Sequence, residues 1–288
     1  MSNFIICTDS ACDLSEEVLK QWNVPCLNLK FRFEGEDKEY GNYDMPTTEF
    51  YNKMREGAIA RTAALNPEDF AGCFKEFAKA GNDVLCLAFS SGLSTTYNSA
   101  RIAASEVEEE FPERKIIVID TLCASAGQGL LLRLALNKQS QGSDINETAE
   151  YVTNTVPKIC HWFTVDDLVY LKRGGRVSPT VALVGTVLGI KPVLHVDNEG
   201  HLISKMKVRG RKTALNALAE KYGELADKDC EQIVYISQAD CMQEAEYLAE
   251  ILKEKYGVTV NIITNIGPVI GAHSGPGTMA LFFVGKER

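Results

Sequence analysis

Serine and threonine hydroxyls crowd around one glycine in Ser90-Ser91-Gly92-Leu93-Ser94-Thr95-Thr96. The run follows a continuous apolar stretch of strand length, 84–89, and precedes a helical pattern over about 95–110. A strand followed by such a turn and a helix start is a natural anion site. The first backbone N–H groups of a helix lack intrahelical partners, and the helix dipole is positive at that end. In parallel sheets, ligands also gather beyond the carboxyl ends of the strands. Ser94 or Thr95 is placed to cap the helix or to aim a hydroxyl at an anion. Capping alone accounts for one or two of the hydroxyls.

The motif inventory narrows the anion. The chain contains no G-x-x-x-x-G-K-[ST] phosphate loop and no G-x-G-x-x-G after a strand. Gly92-Leu93-Ser94-Thr95-Thr96 lacks the last glycine of a G-x-S-x-G hydrolase elbow. A single carboxylate, which needs only a few hydroxyl or N–H donors, fits the residues present.

Other residues are candidates for the same chemistry. The segment 266–278 is rich in glycine and proline and carries His273. Glycines there permit close backbone approach to a ligand. His161, His195 and His201 lie in strand-like runs and read as structural or surface residues. The basic cluster Lys172-Arg173-Gly174-Gly175-Arg176 reads equally as charge placed against a helix C-terminus or as a contact for a phosphorylated ligand or acidic partner, with Arg209 and Arg211 nearby. Ser94 with His273 as base would instead make a hydrolase or acyltransferase. That alternative needs a third residue, Asp9 or Asp120, to orient the imidazole. A sensor that binds its ligand only to regulate another protein is a third class.

Composition excludes several functions. A net charge of −9 argues against a sequence-independent grip on nucleic acid and against docking on an anionic membrane. The longest apolar stretch, 181–190, falls short of the roughly 20 residues that span a bilayer, so no stable membrane insertion is expected. The start of the chain has neither a basic region nor a long apolar one, so no secretory signal is read there. The nine cysteines form no C-x-x-C pair and read as reduced, mostly buried thiols of a cytoplasmic protein. No His/Cys cluster has metal-ligand spacing, so no metal is expected.

The elements that must hold these residues follow from periodicity. Apolar runs at 4–7, 84–89 and 115–120 alternate with helical patterns, as in a parallel sheet covered on both faces. Asp13-Leu14-Ser15-Glu16 reads as a helix start with Asp13 as its cap. The stretch 67–80 reads as a helix with Phe70, Phe74 and Phe77 on one face. Beyond Pro157 the pattern changes. Strand-like runs at 193–196 and 201–208 flank Asp197-Asn198-Glu199-Gly200, a hairpin signal and hence antiparallel pairing. Strands at 233–237 and 259–264 bracket a helix over 241–255, and 279–284 is a last strand. Pro179 suits a helix start, and the stretch 181–190, apolar on all faces, is a candidate for buried packing or a tunnel wall. The expected fold is α/β with two domains: 1–156 with a mostly parallel sheet flanked by helices and the Ser-rich turn, and 157–288 with a mixed α/β sheet.

Taken together, Thr8-Asp9-Ser10 with Asp13-Leu14, Ser90-Ser91-Gly92-Leu93-Ser94-x-Thr96-Tyr97, Gly174-Gly175-Arg176 and His273-x-Gly275-Pro276-Gly277 resemble the DegV family. Its members are fatty-acid-binding proteins that serve as lipid-presenting subunits of bacterial fatty acid kinases. The resemblance spans nearly the whole chain. It implies an acyl chain enclosed between two α/β domains, with the carboxylate held by hydroxyls at Ser94 and Thr62. Thr95, His273, Arg173 and Arg176 would face the head group or the partner. It implies a long-chain fatty acid as ligand, no cofactor, and a separate ATP-dependent kinase subunit that phosphorylates the carboxylate. On this reading the chain is not itself an enzyme. Two departures stand out. The family usually has Thr-Ser-Gln-Pro-Ser where this chain has Thr62-Ala63-Ala64-Leu65-Asn66, and often glycine at the position of Thr95.

Overall fold

The computed structural model describes residues 4–177, 189–230 and 232–288. Pro179 and all of the apolar stretch read as a tunnel wall except Gly189 and Ile190 lie outside them.

Three sheets organise the described residues. The first is parallel, in the order β2 (Cys26–Leu27), β1 (Phe4–Asp9), β6 (Asp83–Ala88), β7 (Ile116–Asp120). Val84, Leu85, Cys86, Leu87 and Ala88 are fully buried. That explains their unbroken apolar run, because helices cover both faces of the sheet. On one face lie α3 (Pro67–Lys79) and α4 (Thr96–Glu110), packed through Phe70, Phe74, Ala100 and Ala103. Asn66 starts α3 with a capping box, its side chain accepting from Asp69 N–H and the Asp69 carboxylate accepting in return.

The opposite face meets α5 (Ala126–Ser140) and α6 (Ile145–Thr155). Helix α5 also touches the second sheet and lies between the two. Leu130, Leu131 and Leu132 are all fully buried, as a helix flanked by sheets on two sides requires.

The second sheet runs β10 (Leu202–Arg209), β9 (Ile190–Val196), β8 (Ile159–Thr164), β13 (Met279–Val284), β11 (Tyr235–Gln238), β12 (Ile262–Asn265). Only the β11–β12 pair is parallel; β9 and β10 form the expected antiparallel hairpin. Helices α8 (Arg211–Leu225) and α9 (Met242–Tyr256) cover its outer face. The fold is therefore mixed α/β, with a parallel sheet from the first half and a mixed sheet from the second.

Two parts of the architecture depart from the sequence reading. A small antiparallel sheet, β4 (Tyr40–Gly41), β3 (Lys30–Phe33), β5 (Ala60–Ala63), packs with α2 (Thr47–Arg55) and α10 (Pro268–Ser274) around Phe31, Phe33, Phe50 and Tyr51. Its strands are too short to show a period. The glycine- and proline-rich segment is likewise partly helical, with Pro268 opening α10 as a first-turn proline can.

Asp13 is also not the N-cap of the helix that follows it. Ser15 caps α1 (Glu16–Gln21), accepting from Val18 N–H, while Asp13 ends a 3₁₀ turn in the left-handed region at φ 50°. Its carboxyl is buried, bonded to the Ser125 hydroxyl and to the Gly267 N–H at 2.9 Å, and its carbonyl accepts from Thr264 at 2.6 Å. Asp13 thus ties the first sheet to the segment that carries α10. At the other end Arg288 donates to the carbonyls of Leu122 (2.7 Å), Val156 (2.8 Å), Ile159 (3.0 Å) and Asp197 (3.0 Å).

Candidate functional site

Carboxylates at two strand ends, the buried Asp9 and the half-buried Asp120, hold the Ser-rich turn. Asp9, at the end of β1, accepts the Phe89 N–H at 2.8 Å, and Asp120, at the end of β7, accepts the Ser91 N–H at 3.1 Å. Burial raises the Asp9 carboxyl to about 6, opposed by the N–H bonds it accepts. The hydroxyls then divide by role. Ser90 is buried and donates to the Gly200 carbonyl at 3.1 Å, docking the turn on the tip of the β9–β10 hairpin. Gly92 permits that contact, since a Cβ there would meet the Glu199 carbonyl at 2.7 Å. Ser94 Oγ accepts the Thr96 N–H at 3.2 Å and shares a hydrogen with Thr96 Oγ1 at 2.9 Å. Thr95 occupies the cap position of α4 without a side-chain cap bond and is exposed. Ser91, Ser94 and Thr95 line a cavity; Ser90 and Thr96 do not.

The opposite wall comes from distant chain. Thr62, on β5, places Oγ1 2.8 Å from Nε2 of His273, in the last turn of α10. Gly174 makes room for the imidazole, because a Cβ there would lie 2.2 Å from His273 Nδ1. Nδ1 itself is buried and has no hydrogen-bond partner among the described residues. Burial first, then the Arg176 and Arg61 guanidiniums, push His273 down to about 4, so the ring is neutral near pH 7. Arg176 bridges the two walls, donating through Nε to the Leu93 carbonyl at 3.1 Å and through a terminal nitrogen to the Gly174 carbonyl. Arg173 does not join them. It is exposed, lies over the Tyr170 ring at 5.7 Å, and does not line the cavity.

These walls enclose about 380 Å³, within the ~300–1,000 Å³ usual for small-molecule sites. One end is polar and partly exposed: Thr62, Ser91, Ser94, Thr95, His273 and Arg176. The remainder is mostly apolar, with Phe89, Leu93, Phe163, Val196, Leu202 and Phe282 from both large sheets and their loops. The unusual segment after Thr62 has local work: Ala63 and Ala64 line the mouth, Leu65 is buried in the core, and Asn66 caps α3.

The geometry of a nucleophile–base pair is not formed. His273 Nε2 faces Thr62, and Ser94 Oγ faces Thr96. Asp9 and Asp120 hold backbone N–H groups of the turn. Among the described residues no group of three His, Cys, Asp or Glu could hold a metal ion. Hydroxyls, a neutral imidazole and one guanidinium at the mouth of an apolar cavity suit an amphipathic monoanion.

The DegV family model, described as uncharacterised protein of that family, matches residues 3–286. A DegV domain-containing protein of Clostridium perfringens is 42% identical over 100% of this chain and 99% of its own length. The chain belongs to the DegV family. Solved DegV structures share the fold. One is a DegV lipid-binding protein from Thermotoga maritima, at TM-score 0.87 and 31% identity over 99% of each chain. Another, from Thermus thermophilus and described by its fatty acid binding, has TM-score 0.88 and 29% identity over 98% of this chain and 99% of its own. A stearic-acid-binding protein from Eubacterium ventriosum has TM-score 0.88 and 27% identity over 98% of each chain.

Sequence reasoning missed the interior of the DegV cavity. His161, Ser125, Ser274 and Thr278 all line it. His161 has an available signal in retrospect: it alternates with Phe163 on one face of β8. Ser125 gave none, since its loop looks like any helix approach. His195 is structural as read, its ring stacked on Trp162 and Nδ1 3.1 Å from the His161 carbonyl.

Proposed function

We propose that this chain binds a long-chain fatty acid and presents it to a separate ATP-dependent kinase subunit, which phosphorylates the carboxylate to an acyl phosphate. The carrying observation is the polarity of the cavity: anion-binding groups at a half-open mouth and an apolar interior between two sheets. Fatty acid binding by DegV proteins of similar fold supports the ligand class. In this reading Thr62 and Ser94 hold the carboxylate, with Thr95, His273 and Arg176 around it, and Arg173 faces the partner. The chain adds no catalysis of its own and acts in the cytoplasm. Residues 1–156 supply the head-group turn, and 157–288 close the acyl cavity.

The hydrogen-bond inventory supports the roles. A proton on His273 Nδ1 would be a buried donor with no acceptor, which is costly. The Nε2–H tautomer instead donates to Thr62 Oγ1, leaving the Thr62 hydroxyl hydrogen for the ligand. Magnitudes separate the two ends. Burying about 15 methylenes contributes roughly 12 kcal/mol gross at ~0.8 per group. Each hydrogen bond to a carboxylate adds about 1.5–3 kcal/mol. The interior supplies affinity, and the mouth supplies orientation.

A binding titration with a fatty acid and the fatty alcohol of equal length tests the ligand. The acid binding clearly more tightly than the alcohol supports it; equal binding removes the carboxylate from the account. For presentation, the loaded chain is incubated with ATP and a cytosolic fraction, and acyl phosphate is trapped with hydroxylamine. Trapped product that depends on the added chain supports the role.

A further inference from the structure

The cavity's inner end is a built floor rather than a taper. The mixed sheet offers it one face, on which β13 contributes Ala280 and Phe282 and β8 contributes Phe163 and His161. Register pairs Ala280 with Phe163 and Phe282 with His161. The next residues on that face, Val284 and Ile159, do not line the cavity. Among the described residues, the accessible stripe ends at the Phe282–His161 pair.

Three contacts fix the pair. The two rings meet edge to face at 5.3 Å between centroids with an interplanar angle of 86°. His161 Nδ1 lies 2.9 Å from the Ile159 carbonyl, which sets the ring's rotation. Its far edge presses on Gly127 of α5, where a Cβ would lie 2.1 Å from Nε2. Nε2 is buried and has no hydrogen-bond partner among the described residues, so no polar contact seen at that atom explains the histidine. A ring held on three sides does not swing aside at low cost, because packed cores yield little.

We propose that His161, backed by Phe282 and Gly127, is the chain-length determinant of this site, setting how many methylenes of a straight acyl chain the cavity accepts. The proposal rests on the fatty-acid reading above. Replacing the imidazole by a methyl group opens space at the end of the cavity, whereas bulk at Ala280, one step nearer the mouth, removes it.

The test measures affinities of the parent, His161→Ala and Ala280→Leu for a homologous series of straight-chain saturated fatty acids. His161→Ala should move the preferred length up by about two methylenes, shifting the affinity ratio of long to short acids roughly tenfold. Ala280→Leu should move it down by a similar step. His161→Leu, which keeps bulk at the floor but loses the ring nitrogens, should keep the parent's preference. If His161→Ala fails to fold, the Ala280→Leu shift decides. A folded His161→Ala, or failing that Ala280→Leu, with the parent's length preference overturns the proposal while leaving fatty acid binding intact. A parent that binds no acid of the series overturns both.

Discussion

Nε2 of His273 lies 2.8 Å from Oγ1 of Thr62, although the two residues are 211 positions apart. The pair joins an edge strand of the small antiparallel sheet to the last turn of α10. Ser94, the other hydroxyl assigned to the carboxylate, comes from the helix start after β6, and Arg176 spans the gap by donating to Leu93. The mouth of the cavity is thus assembled from four separate stretches of chain. Its geometry depends on the packing of all three sheets.

Thr62→Val keeps the shape of the side chain and removes the hydroxyl. Fatty acid affinity should fall by roughly 1.5–3 kcal/mol, the value of a hydrogen bond to a charged group. Isothermal titration checks this. The same variant should also lower stability by about 1–3 kcal/mol, because the His273 Nε2–H loses its acceptor.

Ser94→Ala removes both the proposed carboxylate contact and the bond to the Thr96 N–H. Losing that bond should cost about 1 kcal/mol of stability. Binding should weaken about tenfold, and acyl phosphate formation with the partner should fall further, because the carboxylate loses its orientation. A loaded Ser94→Ala protein that supports parental turnover would remove Ser94 from the site.

Gly174→Ala places a methyl group within 2.2 Å of the present position of His273 Nδ1. The imidazole must move, breaking its bond to Thr62. Affinity should drop about tenfold, with a stability loss of roughly 1–3 kcal/mol from overpacking. Paired binding and thermal-melt measurements separate the two effects.

Stability should fall as pH rises from about 6.5 to 8, and Asp13 should be the cause. Burial lifts its carboxyl to about 8 despite the bonds from Ser125 and Gly267. A raised folded pKa means a contribution complete below the unfolded value of about 3.9 and lost as pH climbs through about 8. His273 and His195, both lowered to about 4, act in the opposite sense. Their destabilisation sets in as pH falls below about 6.5 and is absent above it. Asp13→Asn mimics the protonated acid, so urea midpoints of that variant should lose the decline between pH 6.5 and 8.

Elements with a strong period were legible in the sequence. The buried strand β6, the helix α3 with its Phe70–Phe74 face, and the β9–β10 hairpin appear within a residue or a few of their expected places. Helix α8 and the small sheet were not read. The strands of that sheet span two to four residues, too few to display alternation. The Ser-rich turn was visible as an anion site, yet the division of its hydroxyls depended on the hairpin tip that Ser90 contacts. The partnership of Thr62 with His273 and the floor at His161 arise from long-range packing, which no local pattern encodes. Thr62 was named through family resemblance, and it lines the same cavity as Ser94.

Mass spectrometry of lipid extracted with organic solvent from the protein purified from cells tests the proposed fatty acid binding most directly. Recovery of one long-chain fatty acid per chain is the expected result. A protein that yields no fatty acid, and takes up none when titrated with long-chain acids, would contradict it.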